Sequence, residues 1–456
     1  MKNRNLRVYE RASLYPQSIA YYFEMFYFLT SEYPYMAKFW EVVASIRGYF
    51  YWARDMDYLE KAARKWFNSW LVDLKERRKI YSLFLRDKQD LHKVVVPLGR
   101  KDVARLKNKE LYKVYKTVID FALKHICYAE YTVDLFDDYF AKFFIGNLQK
   151  NNIVLSADDL SACVQPATIS ANAEYKKELI KLSFVKKLSK NEISSLVKQY
   201  SWIRMSWDGA NELEAKDALA DINELKKISR ARRQLELKDI ETLPERVRRK
   251  RKNLIAEYGI EVKSIQSFFD LLDNFNTFHD YRKEIQMRSN QIIYRVLREI
   301  PNRFGLSFED LMWYFNNEIE DLLLKNVMVP SEIITERKEG LVFHIHKDKI
   351  RKYFGQKAVK QLEKLVLSVV RAKGGNEIRG FSASVGKISG TVFVCKDASV
   401  ANVSMPKGAI LVTSMTTIDF IPAMRRAKAI VTDDGGATCH AAVVSREFGI
   451  PCVVGA

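Results

Sequence analysis

Apolar residues recur at helical spacing over most of the first 370 positions of this chain. In 282–300, "RKEIQMRSNQIIYRVLREI", they fall at 285, 292, 293, 296, 297 and 300 with charge on the other face, the pattern of an amphipathic helix. Pro301 is expected to end it. Ser307, with Asp310 three residues on, reads as the N-cap and capping box of the next helix, "SFEDLMWYF". Residues 357–371 repeat the logic, with Val359, Leu362, Val366, Val369 and Val370 on one side. Two stretches break the period. Residues 150–175 lose it and read as a loop-rich crossing, whereas 340–347, "GLVFHIHK", reads as a short strand that places His344 and His346 on one face. Without a third ligand nearby these are expected to be ordinary strand histidines, and no metal site is expected.

At "AKGGNEIRG" (372–380) the pattern changes to short strands, turn glycines and alternating strand and helix. "GAILVTSM" (408–415) reads as a strand, followed by a helix at about 418–427 and a buried strand, "KAIVTD". A Gly435-Gly436 turn then opens a helix at about 438–448, stopped by Gly449 and Pro451, and "CVV" begins another strand. The expected organisation is therefore a large, mainly α-helical region over 1–371, a flexible glycine linker at 372–380 and a small α/β domain over 381–456.

Composition narrows the class. A 456-residue chain with 48% hydrophobic residues and only 10 prolines is long enough for two or three folded domains. Five cysteines without C-x-x-C spacing argue against a disulfide framework or a zinc site, so a reducing cytoplasm is the expected setting. No apolar run is long enough for a membrane span, and no signal peptide is read at the N-terminus. A formal charge of +19 favours anionic partners. The densest basic runs, 226–234 and 246–253, share their segment with Glu236, Asp239, Glu241 and Glu245. A solvated, charge-laced helical face is the expectation there, and nucleic acid is not an expected partner.

The chemistry concentrates in "IVTDDGGATCHAAVVSREFGIPCVVGA", 430–456, where His440 opens a helix just after the glycine pair. The first N–H groups of a helix lack internal partners and carry the positive end of its dipole, so the spot favours an anion such as phosphate. The same field disfavours the imidazolium, keeping a nitrogen lone pair available for attack on a phosphoryl donor. Gly435 and Gly436 let backbone approach the phosphate, Thr438 offers a hydroxyl, and Ala441 and Ala442 keep the flanks small. A Gly-Gly turn and one histidine are common on protein surfaces; the longer string is not.

From about 379 to 456 the sequence resembles the mobile, swivelling phosphohistidine domain of phosphoenolpyruvate-utilising enzymes, the family of phosphoenolpyruvate synthase, pyruvate phosphate dikinase and rifampin phosphotransferase. The motif G-G-x-T-[SC]-H-A-A, continuing through R-E-x-G-I-P to a final glycine, is matched by Gly435, Gly436, Thr438, Cys439, His440, Ala441, Ala442, Arg446, Glu447, Gly449, Ile450, Pro451 and Gly455. Ile418 stands where the family usually has proline before Asp419. The resemblance implies that His440 is the phosphoryl carrier, that Gly435, Gly436, Thr438, Cys439 and Arg446 support the phosphate, and that Thr438 is a regulatory position in some relatives. Weaker similarity to the helical region of rifampin-phosphotransferase-like proteins marks Trp202, Arg204, Trp207, Arg282 and Arg288 as a candidate acceptor surface.

In this family an ATP-grasp domain, using ATP and Mg2+, loads the histidine. No such stretch and no G-x-x-x-x-G-K-[ST] loop is read here, so a separate ATP-grasp protein is the expected partner and a small molecule the expected acceptor. The family domain runs on past the position of Ala456, so truncation is a further expectation. The function expected is a phosphotransferase component; the alternative is a non-catalytic regulatory or scaffold protein that retains a phosphohistidine domain.

Overall fold

A computed structural model describes residues 6–12, 40–47, 49–156, 159–160, 163–205, 212–346, 349–368, 380–396, 398–416, 420–433, 435–436 and 439–456. The strands are β1 (Leu6–Ala12), β2 (Trp40–Ile46), β3 (Tyr49–Asp55), β4 (Gly340–His346), β5 (Lys349–Phe354), β6 (Phe381–Ser384), β7 (Val392–Val394), β8 (Ile410–Thr413), β9 (Ala429–Thr432) and β10 (Cys452–Val454). The longer helices begin with α1 (Met56–Val72), α2 (Leu74–Asp90), α3 (Asn108–Lys150), α4 (Ala171–Ser183) and α5 (Lys190–Tyr200). They continue with α6 (Ala215–Lys226), α7 (Arg230–Glu257), α8 (Val262–Phe304), α9 (Asn316–Lys325), α10 (Ser331–Glu339) and α11 (Gly355–Leu362). Last come α12 (Ala398–Ser404), α13 (Ile421–Arg426) and α14 (His440–Phe448). None of the described helices is long and apolar enough to cross a membrane.

Two compact units divide the chain: Phe144–Gln291 forms one, and Met1–Phe143 with Ile292–Ala456 the other. The 372–379 part of the expected linker lies outside the described residues.

The chain is mainly helical before residue 370, as its periodicity implies, but the larger unit also holds an antiparallel sheet, ordered β1-β3-β2-β4-β5. Of its strands only 340–347 was expected. In β2 the reason is burial on both faces: Glu41 to Ser45 are buried without interruption, so the alternation that betrays a half-buried strand is absent. Pairing is also remote in sequence, with Trp40 opposite His346. His344 and His346 do share a face, their rings stacked 6.2 Å apart. Among the described residues no group of three or more His, Cys, Asp or Glu is placed to hold a metal ion.

Helix α8 corrects the expected stop at Pro301, continuing to Phe304. A proline in the last turn removes a single backbone donor there, and the helix instead ends at Gly305. With φ of +65°, Gly305 donates its N–H to the Pro301 carbonyl at 2.9 Å. Ser307 caps the next helix as expected, accepting from the Asp310 N–H at 2.9 Å, although that helix is only Phe308–Leu311. Helices α9 and α10 are locked by Arg337, whose two terminal nitrogens each donate to Glu318 at 2.7 Å while its guanidinium lies 4.1 Å over the Phe315 ring.

The smaller unit packs Tyr175, Leu179, Ile193, Tyr200, Trp202 and Ile222 into one core. Arg251, buried in α7, grips both carboxylate oxygens of Asp273 at 3.0 Å and the Gln165 carbonyl at 2.6 Å.

The C-terminal segment forms a mixed sheet, ordered β6-β10-β9-β8-β7, in which only the β6/β10 pair is antiparallel. Its core gathers Leu411, Ile430, Met424, Ala442 and Val454. Gly449, at φ of +65°, terminates α14 where the sequence places a stop.

Candidate active site

The turn after β9 delivers the chain to the N-terminus of α14, and His440 is that helix's first residue. Two backbone bonds fold the entry: the Cys439 N–H donates to the Gly436 carbonyl at 3.2 Å and the Val443 N–H to the Cys439 carbonyl at 3.0 Å. Ala441 and Ala442 are buried against the sheet, which fixes the roll of the helix and leaves the half-buried His440 on its outer side. The imidazole Nδ1 lies 2.8 Å from the Thr416 hydroxyl oxygen, and Thr416 is buried just beyond β8. One ring nitrogen is therefore committed to a protein partner, and the ring's orientation is set.

Gly435 is required by geometry. Its φ is +108°, and a Cβ there would sit 2.5 Å from the Cys439 Sγ. Gly455 approaches the same turn from β10, with φ of +63° and room for a Cβ only at 3.0 Å from the Gly435 carbonyl oxygen. Gly435→Ala is expected to cost about 1–3 kcal/mol of backbone strain and to displace Cys439. A drop in thermal midpoint, with slower histidine phosphorylation, is the readout; an unchanged midpoint would show that the turn relaxes freely.

Arg446 lies six residues beyond His440, about 9 Å of helical rise. Its Nε donates to the Ala383 carbonyl at 2.8 Å, tying α14 to β6. Burial pulls its guanidinium below the usual range, opposed by the neighbouring Cys439 and Cys452 thiols. Burial likewise raises the Cys452 thiol. Gly436 is buried in the turn and Cys439 is the N-cap residue of α14. Thr438, Ile418 and Asp419 lie outside the described residues.

The candidate acceptor residues separate. Trp202 is core, packed among Leu196, Tyr200, Ile203 and Met205. Arg204 is held by Asp221 at 2.6 Å and Asp217 at 3.5 Å. Arg288 bonds Glu284 at 2.8 Å and the Gln199 carbonyl at 2.6 Å, and burial lowers it to about 10. Trp207 lies outside the described residues. Arg282 stands on α8 beside His279 and Lys283, a grouping that composition did not single out. His279 and Lys283 stand three residues before it and one after, and burial pushes the His279 imidazole down to about 3, with Arg282 and Lys283 repelling its proton further. Lys283 is also lowered by burial, against the pull of Asp280.

Thr416 was not among the candidates from sequence. The stretch "VTSMTT" offers several hydroxyls, and nothing local says which one reaches a helix 24 residues on.

The family described as PEP-utilising enzyme, mobile domain, matches residues 405–456. The phosphoenolpyruvate synthase of Pyrococcus furiosus is 58% identical over 78 residues, 17% of this chain and 9% of that protein. A probable phosphoenolpyruvate synthase of Methanothermobacter thermautotrophicus is 54% identical over 78 residues, 17% of this chain and 11% of the relative. Similarity to an uncharacterized phosphotransferase of Bacillus subtilis, YvkC, reaches further, 35% over 153 residues, 32% of this chain and 18% of the relative. The matched region is thus less than a fifth of each of these relatives' own length.

Proposed function

We propose that this chain is a phosphotransferase component in which His440, within the segment that matches the PEP-utilising enzyme mobile domain, is transiently phosphorylated and relays the group to an acceptor bound by the helical region. The observation that carries this reading is the 2.8 Å contact between the His440 Nδ1 and the Thr416 hydroxyl at the start of α14.

With the Nδ1–H donated to Thr416 Oγ1, the lone pair resides on Nε2. Attack by Nε2 forms the N–P bond as the P–O bond to the leaving group breaks, and the electron pair departs on that oxygen. The phosphorylated ring becomes cationic, which strengthens the hydrogen bond from Nδ1–H to Thr416. The unsatisfied N–H groups at the helix N-terminus favour the anionic phosphoryl oxygens. In the second half, the acceptor's nucleophile attacks phosphorus and the pair returns to Nε2. Loading belongs to a separate ATP-grasp protein, whose ATP and Mg2+ supply and activate the transferred group; no residue of this chain is assigned to them. The neighbouring Arg282 and Lys283 of α8, both part-buried, suit an acceptor with an anionic group.

The test is labelling in a lysate of the source organism with β-labelled ATP or labelled phosphoenolpyruvate. Acid-labile, alkali-stable label on the chain supports the reading, and its absence while a relative in the same lysate is labelled removes it. Thr416→Val is expected to slow labelling by roughly 10–100-fold, the worth of one hydrogen bond to a charged group, with Thr416→Ser near the parent rate. A valine variant labelled at the parent rate would show that the contact does not orient the ring.

A further inference from the structure

Six of the seven residues from Arg246 to Lys252 are Lys or Arg. On α7, Val247, Arg251 and Leu254 form the buried stripe. Arg246, Arg248, Arg249, Lys250 and Lys252 are all exposed. At about 100° per residue, Arg249 stands on the crest opposite that stripe, Arg246 and Lys250 on one flank, and Arg248 and Lys252 on the other.

The acids of the helix do not neutralise this ridge. Arg246 reaches Asp239 at a loose 3.4 Å with both side chains about half exposed, and Arg248 donates to the Ala167 carbonyl at 3.4 Å. Among the described residues no carboxylate lies within ion-pair distance of Arg249, Lys250 or Lys252. Lys250 contributes only weakly to the lowered Asp159 carboxyl, which Ser156 and Tyr258 hold first by hydrogen bonds. Glu245 is the nearest acid along the chain, one turn before Arg249.

We propose that this ridge is a docking surface for duplex DNA, taken by its phosphate backbone without sequence preference. The distribution of charge favours it. A flat acidic protein face would meet one flank of a helix, whereas these cations occupy both flanks and the crest. A helix is about 10–12 Å across and the major groove of B-form DNA about 12 Å wide, so a ridge with two charged flanks faces phosphates on both edges. Three of the five cations are arginines, whose planar fork suits phosphate oxygens.

The experiment is fluorescence polarisation of the full chain with a 20-base-pair duplex of arbitrary sequence across a salt series. Single-stranded RNA and polyglutamate serve as competitors. Binding is expected to weaken with salt at a log–log slope of about −4 to −5, the signature of roughly five phosphate contacts. Arg249→Glu with Lys250→Glu and Lys252→Glu should weaken it at least tenfold and flatten the slope by about 3; circular dichroism checks that this surface variant is folded. Absence of binding in 50 mM salt, equal binding by the variant, or tighter capture of RNA would each overturn the proposal. Competition by polyglutamate as strong as by DNA would do the same, and would point to an acidic protein face.

Discussion

His440→Ala is expected to lower phosphoryl relay through this chain by on the order of 10³-fold or more, and to leave the fold intact. The size follows from the kind of step. A nucleophile that forms a covalent intermediate has no substitute when its attacking atom is removed. The fold should survive because the imidazole is half-buried, while the side chains that seat the helix are Ala441, Ala442 and Val444. Label transfer from donor to chain, followed alongside thermal unfolding, separates the two. A variant that unfolds early would make its lost activity uninformative, and His440→Asn, closer in size and polarity, then carries the test.

Arg337→Leu is expected to cost about 3–5 kcal/mol, the largest stability loss from a single replacement considered. Arg337 is nearly fully buried and donates to both Glu318 oxygens and to the Trp313 carbonyl, while Phe315 and Phe354 flank its guanidinium. Removing it strands a Glu318 side chain that also caps α9 through the Phe315 N–H at 2.8 Å. The penalty is chiefly that of an uncompensated carboxylate in a poorly solvated site. A downward shift of roughly 10 °C in the larger unit's transition is the expected reading. Pairing the change with Glu318→Gln should recover part of the loss, since the stranded charge is then gone; an unrecovered loss would place the stabilisation in packing with the aromatic rings instead.

What was legible in the sequence follows from how far each interaction reaches along the chain. The strand, glycine turn, helix and glycine stop around His440 are local, and every one of them is in place. Gly435 announces its own role, because a glycine pair ahead of a helix is where positive φ and close approach are needed. Thr416 does not, since its value lies in where β8 ends relative to α14, a property of the folded sheet. The antiparallel sheet was hidden for a related reason. Strand β2 is buried on both faces, and it pairs with β4 across most of the chain, so no hairpin turn marks the two as partners. Trp202 illustrates the opposite hazard: a tryptophan that resemblance marks as acceptor-facing serves as packing among Leu196 and Tyr200. The basic run on α7 was visible in the sequence, but which of its cations face solvent depended on rotation about the helix axis, which buries Arg251 and leaves Arg249, Lys250 and Lys252 exposed.

The carrier role of His440 is tested most directly by locating the phosphoryl group after donor labelling, using 15N and 31P NMR of the phosphorylated chain. A single phosphoryl group on the Nε2 of His440, with Nδ1 protonated and hydrogen-bonded, is the predicted result. Phosphate on Nδ1, on another residue or on no residue at all would contradict it.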